Sequence, residues 1–497
     1  MKILMLLLLL IPAVAGAALP FLRLSRKKNL ILTGAVLLLC AALSLVLLFQ
    51  GELSMVLFSM TEKLVVSLKL DLLSKIFLSL SAFGFPLAGF FAFRYMEEEE
   101  KEGSFKESTF YGFFLLTEAA LFGMDLSDNL IAMYFFFEML TLLSMPLVLF
   151  ERTERSIAAA LKYLFYSIGG AFLALAAIFV LAYYAPTLQF AEGGVLTSGG
   201  ELLPALSENR NLLLIMSFLG IVGFSAKAGM YPLHGWLPTA HPEAPAPASA
   251  VLSGVIAKAG VLAIIRLLYY IIGPAFLLGS WVQISLLSLS LLTVFMGSMM
   301  AYREKNLKKR LAYSSVSQIS YALFGIFLLN PEGFTGGVLQ VLFHAAAKIC
   351  LFLTAGSFIF HGNRRKVEEL RGIGKTMPCT LLCFTFASLS LIGIPPFSGF
   401  VSKWYLALGA LGSGIPVLYW LGPVILLVSA LLTAGYLLPV SVSGFFPGKD
   451  FKAGERSREG GLLMLVPLFV LAILTLVLGL LSGLLSNVCL QGFSALF

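Results

Sequence analysis

The sequence predicts an all-α polytopic membrane protein of about 14 transmembrane helices, with two inverted five-helix repeats and two broken helices. Three observations carry this reading. Of 497 residues, 59% are hydrophobic and only 12% charged, with mean hydropathy +0.95, whereas charged residues make up roughly a quarter of an ordinary soluble protein. Apolar runs of about 20 residues, long enough to cross a bilayer, recur from end to end. Lysines and arginines collect in alternate loops, as they do where one set of loops stays in the cytoplasm.

The runs fall near residues 2–22, 29–49, 71–94, 108–124, 128–150, 157–184, 211–240 (interrupted), 246–270, 275–301, 311–330, 335–360, 378–410 (interrupted), 416–440 and 461–485. No stretch between them is long enough for a soluble domain. The first run, "MKILMLLLLLIPAVAGAALP", imitates a secretory signal with a small-residue cleavage site. The basic cluster "RLSRKK" (23–28) would then face outward, so residues 1–20 read as a retained first helix. With the N-terminus outside, the loops after odd-numbered spans face the cytoplasm and hold 23 of the 34 lysines and arginines. Only Lys2, Lys63, Lys69 and Arg210 lie on the other side. Both termini are therefore expected outside the cell membrane. The net charge of +8 reflects this topology and calls for no nucleic acid.

Seven basic residues remain within spans: Lys75, Lys162, Lys227, Lys258, Arg266, Lys348 and Lys403. Lys75 and Arg266 lie towards helix ends, where long side chains can snorkel to the headgroups. The others lie deeper, with Glu138 in "AMYFFFEMLTLL" and Glu118 in "LLTEAALF" as the buried acids. His344 stands one turn before Lys348 in "LFHAAAKICLF", so both face one side of a helix. A lysine or acid at mid-bilayer costs about 2.5–3.5 kcal/mol on insertion scales. Five of them (Glu138, Lys227, Lys258, Lys348 and Lys403) cost roughly 12–17 kcal/mol before pairing, comparable to the stability of a whole domain. One pair can be structural. A row across five helices points to a proton or ion path, the usual role of ionisable residues at that depth. Low dielectric disfavours a charged amine and a nearby carboxylate favours it. Opening or closing one Glu–Lys contact can therefore load or release a proton. That chemistry needs no metal, covalent intermediate or cofactor. The five cysteines form no metal or redox pattern, and Cys379 and Cys383, one turn apart, read as small core residues.

Proline accompanies the buried lysines. "GFSAKAGMYPLHGWLP" (223–238) holds Lys227 and then Pro232, and "GIPPFSGFVSKWYL" (393–406) holds Pro395 and Pro396 and then Lys403. Proline donates no backbone hydrogen bond and clashes with the preceding turn. At membrane depth such irregular backbone survives only beside protein or a water-filled cavity. The pattern G-I-x-x-F-S followed by lysine begins at Gly220 and again at Gly393. "ALKYLFYSIGG" (160–170) lies over "VLQVLFHAAAK" (338–348) at an offset of 178, and Lys227 and Lys403 are 176 apart. Spans 4–8 then pair with spans 9–13. An odd number of spans per copy turns the second copy over in the membrane, a transporter signature. The chain divides into helices 1–3 (1–107), repeat 1 (108–270), repeat 2 (275–440), and a polar loop with the last helix (441–497).

Three stretches, "AKAGMYPLHGWLPTAHPEAPAPASAVLSGVIAKAG" (226–260), "NLKKRLAYSSVSQIS" (306–320) and "GIPPFSGFVSKWYL", together resemble the antiporter-like proton-translocating subunits. These occur in respiratory complex I, Mrp-type multisubunit sodium/proton antiporters and membrane-bound hydrogenases. The resemblance covers about spans 4–13 and implies 14 helices with a lateral hydrated path at mid-membrane. On it, Glu138 matches the fifth-helix glutamate, and Lys227 the lysine of the broken seventh helix that pairs with it as the coupling switch. Lys258 matches the eighth-helix relay lysine, His344 and Lys348 the eleventh-helix pair, and Lys403 the terminal lysine of the broken twelfth helix. The implied partners are other membrane subunits, with iron–sulfur, hydrogenase or quinone-oxidoreductase subunits in a redox complex. The implied cargo is H⁺, exchanged in some complexes for Na⁺. "HPEAPAPASA" (241–250) is similar to the Mrp and membrane-hydrogenase branch more than to mainstream complex I.

Other readings are weaker. His234 and His241 flank the broken seventh helix at a spacing unlike zinc sites, and read as loop or proton-access residues. A free-standing transporter of a small solute or ion needs a midplane pocket with substrate-binding polar side chains. A membrane enzyme in its own right lacks ligand sets for haem or metal. "RGIGKTMP" (371–378) imitates a phosphate-binding loop, but Glu369 stands where that motif requires glycine. "MEEEEKEG" (96–103) and "FPGKDFKAGERSREGG" (446–461) read as solvated connectors, the second as a docking surface.

Overall fold

A helix satisfies its own backbone where water is absent, so the apolar runs become helices. The computed structural model describes residues 2–59, 65–97, 104–198, 201–448 and 459–497. Most of the acidic run 96–103 and of the connector 446–461 lies outside the described residues. The helices follow in the order α1 (Lys2–Ala18), α2 (Arg26–Leu48), α3 (Leu72–Tyr95), α4 (Glu107–Asp125), α5 (Leu130–Val148), α6 (Glu154–Tyr184), α7 (Arg210–Ala228), α8 (Leu237–Glu243), α9 (Ala246–Val251), α10 (Ala257–Ile265), α11 (Pro274–Leu277), α12 (Trp281–Arg303), α13 (Leu307–Phe327), α14 (Pro331–Phe360), α15 (Pro378–Ile392), α16 (Gly399–Leu411), α17 (Leu418–Phe445), α18 (Leu462–Leu480) and α19 (Ser482–Gly492). π-helical segments at Leu252–Ile256 and Arg266–Ile272 join α9 to α10 and extend α10, giving one continuous buried span. Polar residues set the starts. Asp71, Asn129, Thr153, Ser280, Asn306 and Asn330 each accept the backbone N–H three residues on, capping α3, α5, α6, α12, α13 and α14.

Each expected span contains a helix, but the count of 14 crossings is not reached on length and composition. Among the described residues, ten helices are long and apolar enough to cross a membrane, or 11 if the bent Val367–Lys375 and Pro378–Ile392 pair is one span. α1 has only 17 residues, α4 carries Glu107, Glu118 and Asp125, and α13 begins with Lys308, Lys309 and Arg310. The sequence also gave no sign of an antiparallel hairpin between α2 and α3, made by β1 (Leu53–Ser59) and β2 (Val65–Leu70). A second, minimal pair, β3 (Thr197–Ser198) and β4 (Glu201–Leu202), precedes α7.

α14 packs against α3, α9, α13, α15, α16 and α18 and is buried along most of its length. α6 buries one face on α5 and α7 and leaves Leu161, Phe165, Phe172 and Phe179 exposed on the other, as a lipid-facing helix does. Arg266 corrects an expectation. It does not snorkel: it is 1% exposed and forks onto Asp71 with contacts of 2.6 and 2.8 Å. Phe190 and Tyr270 cover its guanidinium. A fork that matches both carboxylate oxygens makes burial tolerable and ties α3 to the end of the α10 span.

Both broken helices stop in the same way. Gly229 (φ +78°) ends α7 and Gly393 (φ +90°) ends α15. In each, the next N–H reaches back to a carbonyl five residues earlier, Met230 to Ser225 and Ile394 to Leu389, both at 3.1 Å. A left-handed residue is needed for that reverse bond, and glycine takes it without a Cβ penalty. The Tyr231–Pro232 and Pro395–Pro396 peptides are both cis, and the three prolines lie on the outside of the chain. The G-I-x-x-F-S stretches are not equivalent in space. Residues 220–225 lie inside α7, before its break, whereas 393–398 are the break itself. Lys227 thus precedes its break and Lys403 follows its own.

Candidate functional site

Lys227 sits in the last turn of α7 and is fully buried. Its Nζ donates to Thr141 Oγ1 at 2.6 Å and to the Phe137 carbonyl at 3.0 Å, both on α5. It also lies 4.3 Å from the Phe137 ring centroid. Glu138 is half-buried and accepts from its own-helix Tyr134 hydroxyl at 3.3 Å. The expected Glu138–Lys227 ion pair is open here. The amine reaches groups one turn apart on α5, and Glu138 projects from a position turned about 100° round the helix from Phe137. The two still act on each other through space. One carbonyl at the break gains a side-chain partner: Trp236 Nε1 donates to the Ala226 carbonyl at 2.8 Å.

Lys258 is buried on α10 and donates to the Ser253 carbonyl inside the first π segment. The Ser253 hydroxyl in turn meets Ser315 Oγ of α13 at 2.6 Å. Lys348, on α14, is fully buried and donates to the Leu311 carbonyl at 2.9 Å. Lys403, half-buried on α16, donates to the Leu391 and Ile392 carbonyls, both at 2.6 Å. Those are terminal carbonyls of α15 that have no intrahelical partner. His344 is 2% exposed, and neither ring nitrogen has a hydrogen-bond partner. It lines a crevice with Gln318, Gln340 and Ser390 that has no room for a water-sized sphere. Gln340 Nε2 donates to Gln318 Oε1 at 2.8 Å, and Ser402 Oγ donates to Gln340 Oε1 at 2.6 Å. These amides and the hydroxyl bridge the His344 turn to the residue beside Lys403.

Sequence reasoning missed Thr141, Trp236, Gln318, Gln340 and Ser402. None is unusual alone, and only packing between distant segments gives them partners. Of the two readings offered for His241, loop or proton access, the loop reading does not hold. His241 lies within α8, fully buried, with neither ring nitrogen bonded and its ring 4.7 Å from Phe352 in a stacked pair. Lys258, Lys308 and Lys348 all act on it electrostatically. Lys308 donates to the Ala244 carbonyl at 2.6 Å. A polar cavity of about 170 Å³, lined by Glu151, Arg155, Glu243, Asn306, Lys308 and Arg365, opens beside it. His234 is half-buried and stacks on Tyr231, and Lys162 is half-buried and donates to Thr239 at 3.0 Å.

One contrast decides what the arrangement can do. Arg266, which stays charged, holds a carboxylate. Lys227, Lys258, Lys348 and Lys403 make no ion pair among the described residues and donate to carbonyls and a hydroxyl instead. A neutral amine keeps those bonds, and an ammonium in the same place keeps them too. Each site therefore tolerates both protonation states.

A family described as NADH:quinone oxidoreductase/Mrp antiporter, TM matches residues 127–433. The chain is similar to NADH-quinone oxidoreductase subunit N of Desulforudis audaxviator, 35% identical over 395 residues, covering 77% of this chain and 76% of that one. It is also similar to hydrogenase-4 component B of Escherichia coli, 30% identical over 351 residues, covering 68% of this chain but 50% of that longer one. Among solved structures, a chain of the Mrp complex from Dietzia sp. DQ12-45-1b shares the fold, with a TM-score of 0.83 at 24% identity over 100% of this chain and 97% of that one.

Proposed function

Because the chain belongs to the NADH:quinone oxidoreductase/Mrp antiporter transmembrane family, we propose that it is the proton-translocating, antiporter-like subunit of a multisubunit membrane complex. H⁺ moves along Glu138, Lys227, Lys258, His344, Lys348 and Lys403, with His241 within electrostatic reach of the lysines of α10 and α14. The observation that carries this is the set of buried lysines without a counter-ion, on α7, α10 and α14, with Lys403 on α16 beyond. Such groups serve proton relays far more readily than they serve stability. Glu138 acts as the switch. When its carboxylate closes on Lys227 the ammonium is favoured, and when it opens, as here, the proton is free to pass on. The matched terminations of α7 and α15 support two inverted repeats, 108–270 and 275–440. The loop charges support a cell-membrane location with both termini outside.

The relatives' names associate them with quinone oxidoreduction, hydrogenase and Na⁺/H⁺ exchange. Other membrane subunits are accordingly the partners proposed here. A mild-detergent pull-down of the tagged chain from its native membranes, with every co-purifying chain identified, tests this. Co-purifying iron–sulfur or nickel–iron subunits fit a redox-driven pump, and small membrane subunits alone fit a gradient-driven Na⁺/H⁺ exchanger. A solitary chain would overturn the proposal in favour of a free-standing transporter.

A further inference from the structure

α4 carries a second line of ionisable side chains that the lateral row does not use. Glu107, Tyr111, Glu118 and Asp125 recur at spacings of four and seven, which sets them on one face of the helix. At one end Glu107 accepts from Arg26 Nε at 2.9 Å and from the Tyr111 hydroxyl at 3.1 Å. At the other end Asp125 is buried and accepts from Ser81 Oγ of α3 at 3.0 Å. Between them Glu118 is 0% exposed, and neither carboxyl oxygen has a hydrogen-bond partner.

α2 runs beside α4 in the same direction, since Arg26 at its start meets Glu107 at the start of α4. It offers Thr33, Cys40 and Ser44, again at spacings of seven and four and all buried. The Thr33 and Ser44 hydroxyls are also unpartnered, and Cys40 is close enough to Glu118 to register its charge. Among the described residues, the other packed elements bring no cation to Glu118. α1 has only Lys2, at its end; α3 has Lys75 and Arg94, at its two ends; α5 has Tyr134 and Glu138; α10 has Lys258. None of them stands near enough to offset a charge on Glu118.

An ionised carboxylate buried in apolar packing with no hydrogen-bond partner from the protein costs so much that the group takes up a proton instead. We infer that Glu118 is a proton-holding site on a transverse route through the N-terminal helices, separate from the lateral row. It accepts a proton from the Glu107–Tyr111 end, holds it as a neutral carboxyl, and releases it towards Asp125. Glu118 stands about 10 Å along the helix from both Tyr111 and Asp125, so the transfers to and from it run through water admitted to the seam between α2 and α4.

Dicyclohexylcarbodiimide, which reacts with protonated carboxyls in apolar surroundings, tests this on the wild-type complex with peptide mapping. The expected result is an adduct at Glu118 that fades as pH rises, and that persists in Lys227→Ala, where the lateral row is broken. In sealed vesicles the Glu118→Gln complex, correctly assembled, loses part of its proton movement. Three results overturn the inference: no adduct at Glu118 while other carboxyls in the sample react, wild-type proton movement in Glu118→Gln, or protection of Glu118 by sodium at constant pH, which would make it a sodium site.

Discussion

Lys227 rests on two α5 groups, and the weaker-looking one matters more. The Phe137 carbonyl is fixed by the helix, whereas the Thr141 hydroxyl at 2.6 Å can be removed without changing shape. Thr141→Val leaves the buried amine one acceptor short, at a cost of about 1–3 kcal/mol. We expect a lower Tm for the purified protein and slower proton movement. Unchanged values for both would show that Thr141 does not hold the lysine. The lysine itself was legible, because charge is rare in an apolar run and Lys227, Lys258 and Lys348 stand out by type alone. Thr141 was not, since threonine is common in such helices and its role arises only where α5 meets α7. His241 was visible, but its spacing from His234 could not tell a loop position from a helical one. It lies in α8, with Pro238 in the first turn, where a helix tolerates it.

The broken helices depend on what closes them. Trp236 ties the second half of the α7 break to the Ala226 carbonyl, so Trp236→Phe leaves that carbonyl only the longer Gly229 N–H contact at 3.3 Å. The expected cost is that of one hydrogen bond, about 0.5–1.5 kcal/mol, read as a lower Tm, and a Tm equal to wild type would contradict the assignment. Gly229→Ala goes further: its Cβ would meet Leu237 Cδ1 at 2.0 Å in a left-handed backbone, and we expect it to abolish assembly. At the α12–α13 turn, Glu304 shows a pH effect outside the membrane. Burial opposes its charge, but the Asn306 and Lys305 N–H groups and Lys309 at 2.9 Å more than offset this and hold its carboxyl below the usual range. A depressed carboxylate contributes stability above its unfolded value that is lost as pH falls through the folded one. Glu304→Gln should therefore flatten the acid limb of a Tm-against-pH curve, and an unaltered limb would refute this. The breaks were legible from proline and lysine. Their register was not, because G-I-x-x-F-S falls before one break and on the other, and only the left-handed glycines align them.

Across the whole molecule, the Asp71–Arg266 fork binds the N-terminal helices to the first broken-helix unit. Removing one partner strands a buried charge, so Asp71→Asn or Arg266→Met alone should cost about 3–5 kcal/mol. The double replacement should cost less than the sum, measured by thermal unfolding in detergent. Strict additivity would show that the pair is not coupled. Composition and run length made the all-helical membrane fold plain, but residue type alone could not tell a paired arginine from a snorkelling one. Arg266 and Asp71 are 195 residues apart, and nothing local links them. The hairpin of β1 and β2 was not legible because residues 50–70, with Lys63 and Lys69, read as an outside loop between two spans.

The central claim is that unpaired buried lysines carry protons between helices. Its most direct test is proton movement by the assembled complex in sealed vesicles, comparing wild type with Lys227→Ala at equal, verified incorporation. The account predicts that movement along the lateral row is abolished, leaving at most the share that Glu118→Gln removes, while every partner subunit remains bound. Wild-type proton movement in that variant would contradict it.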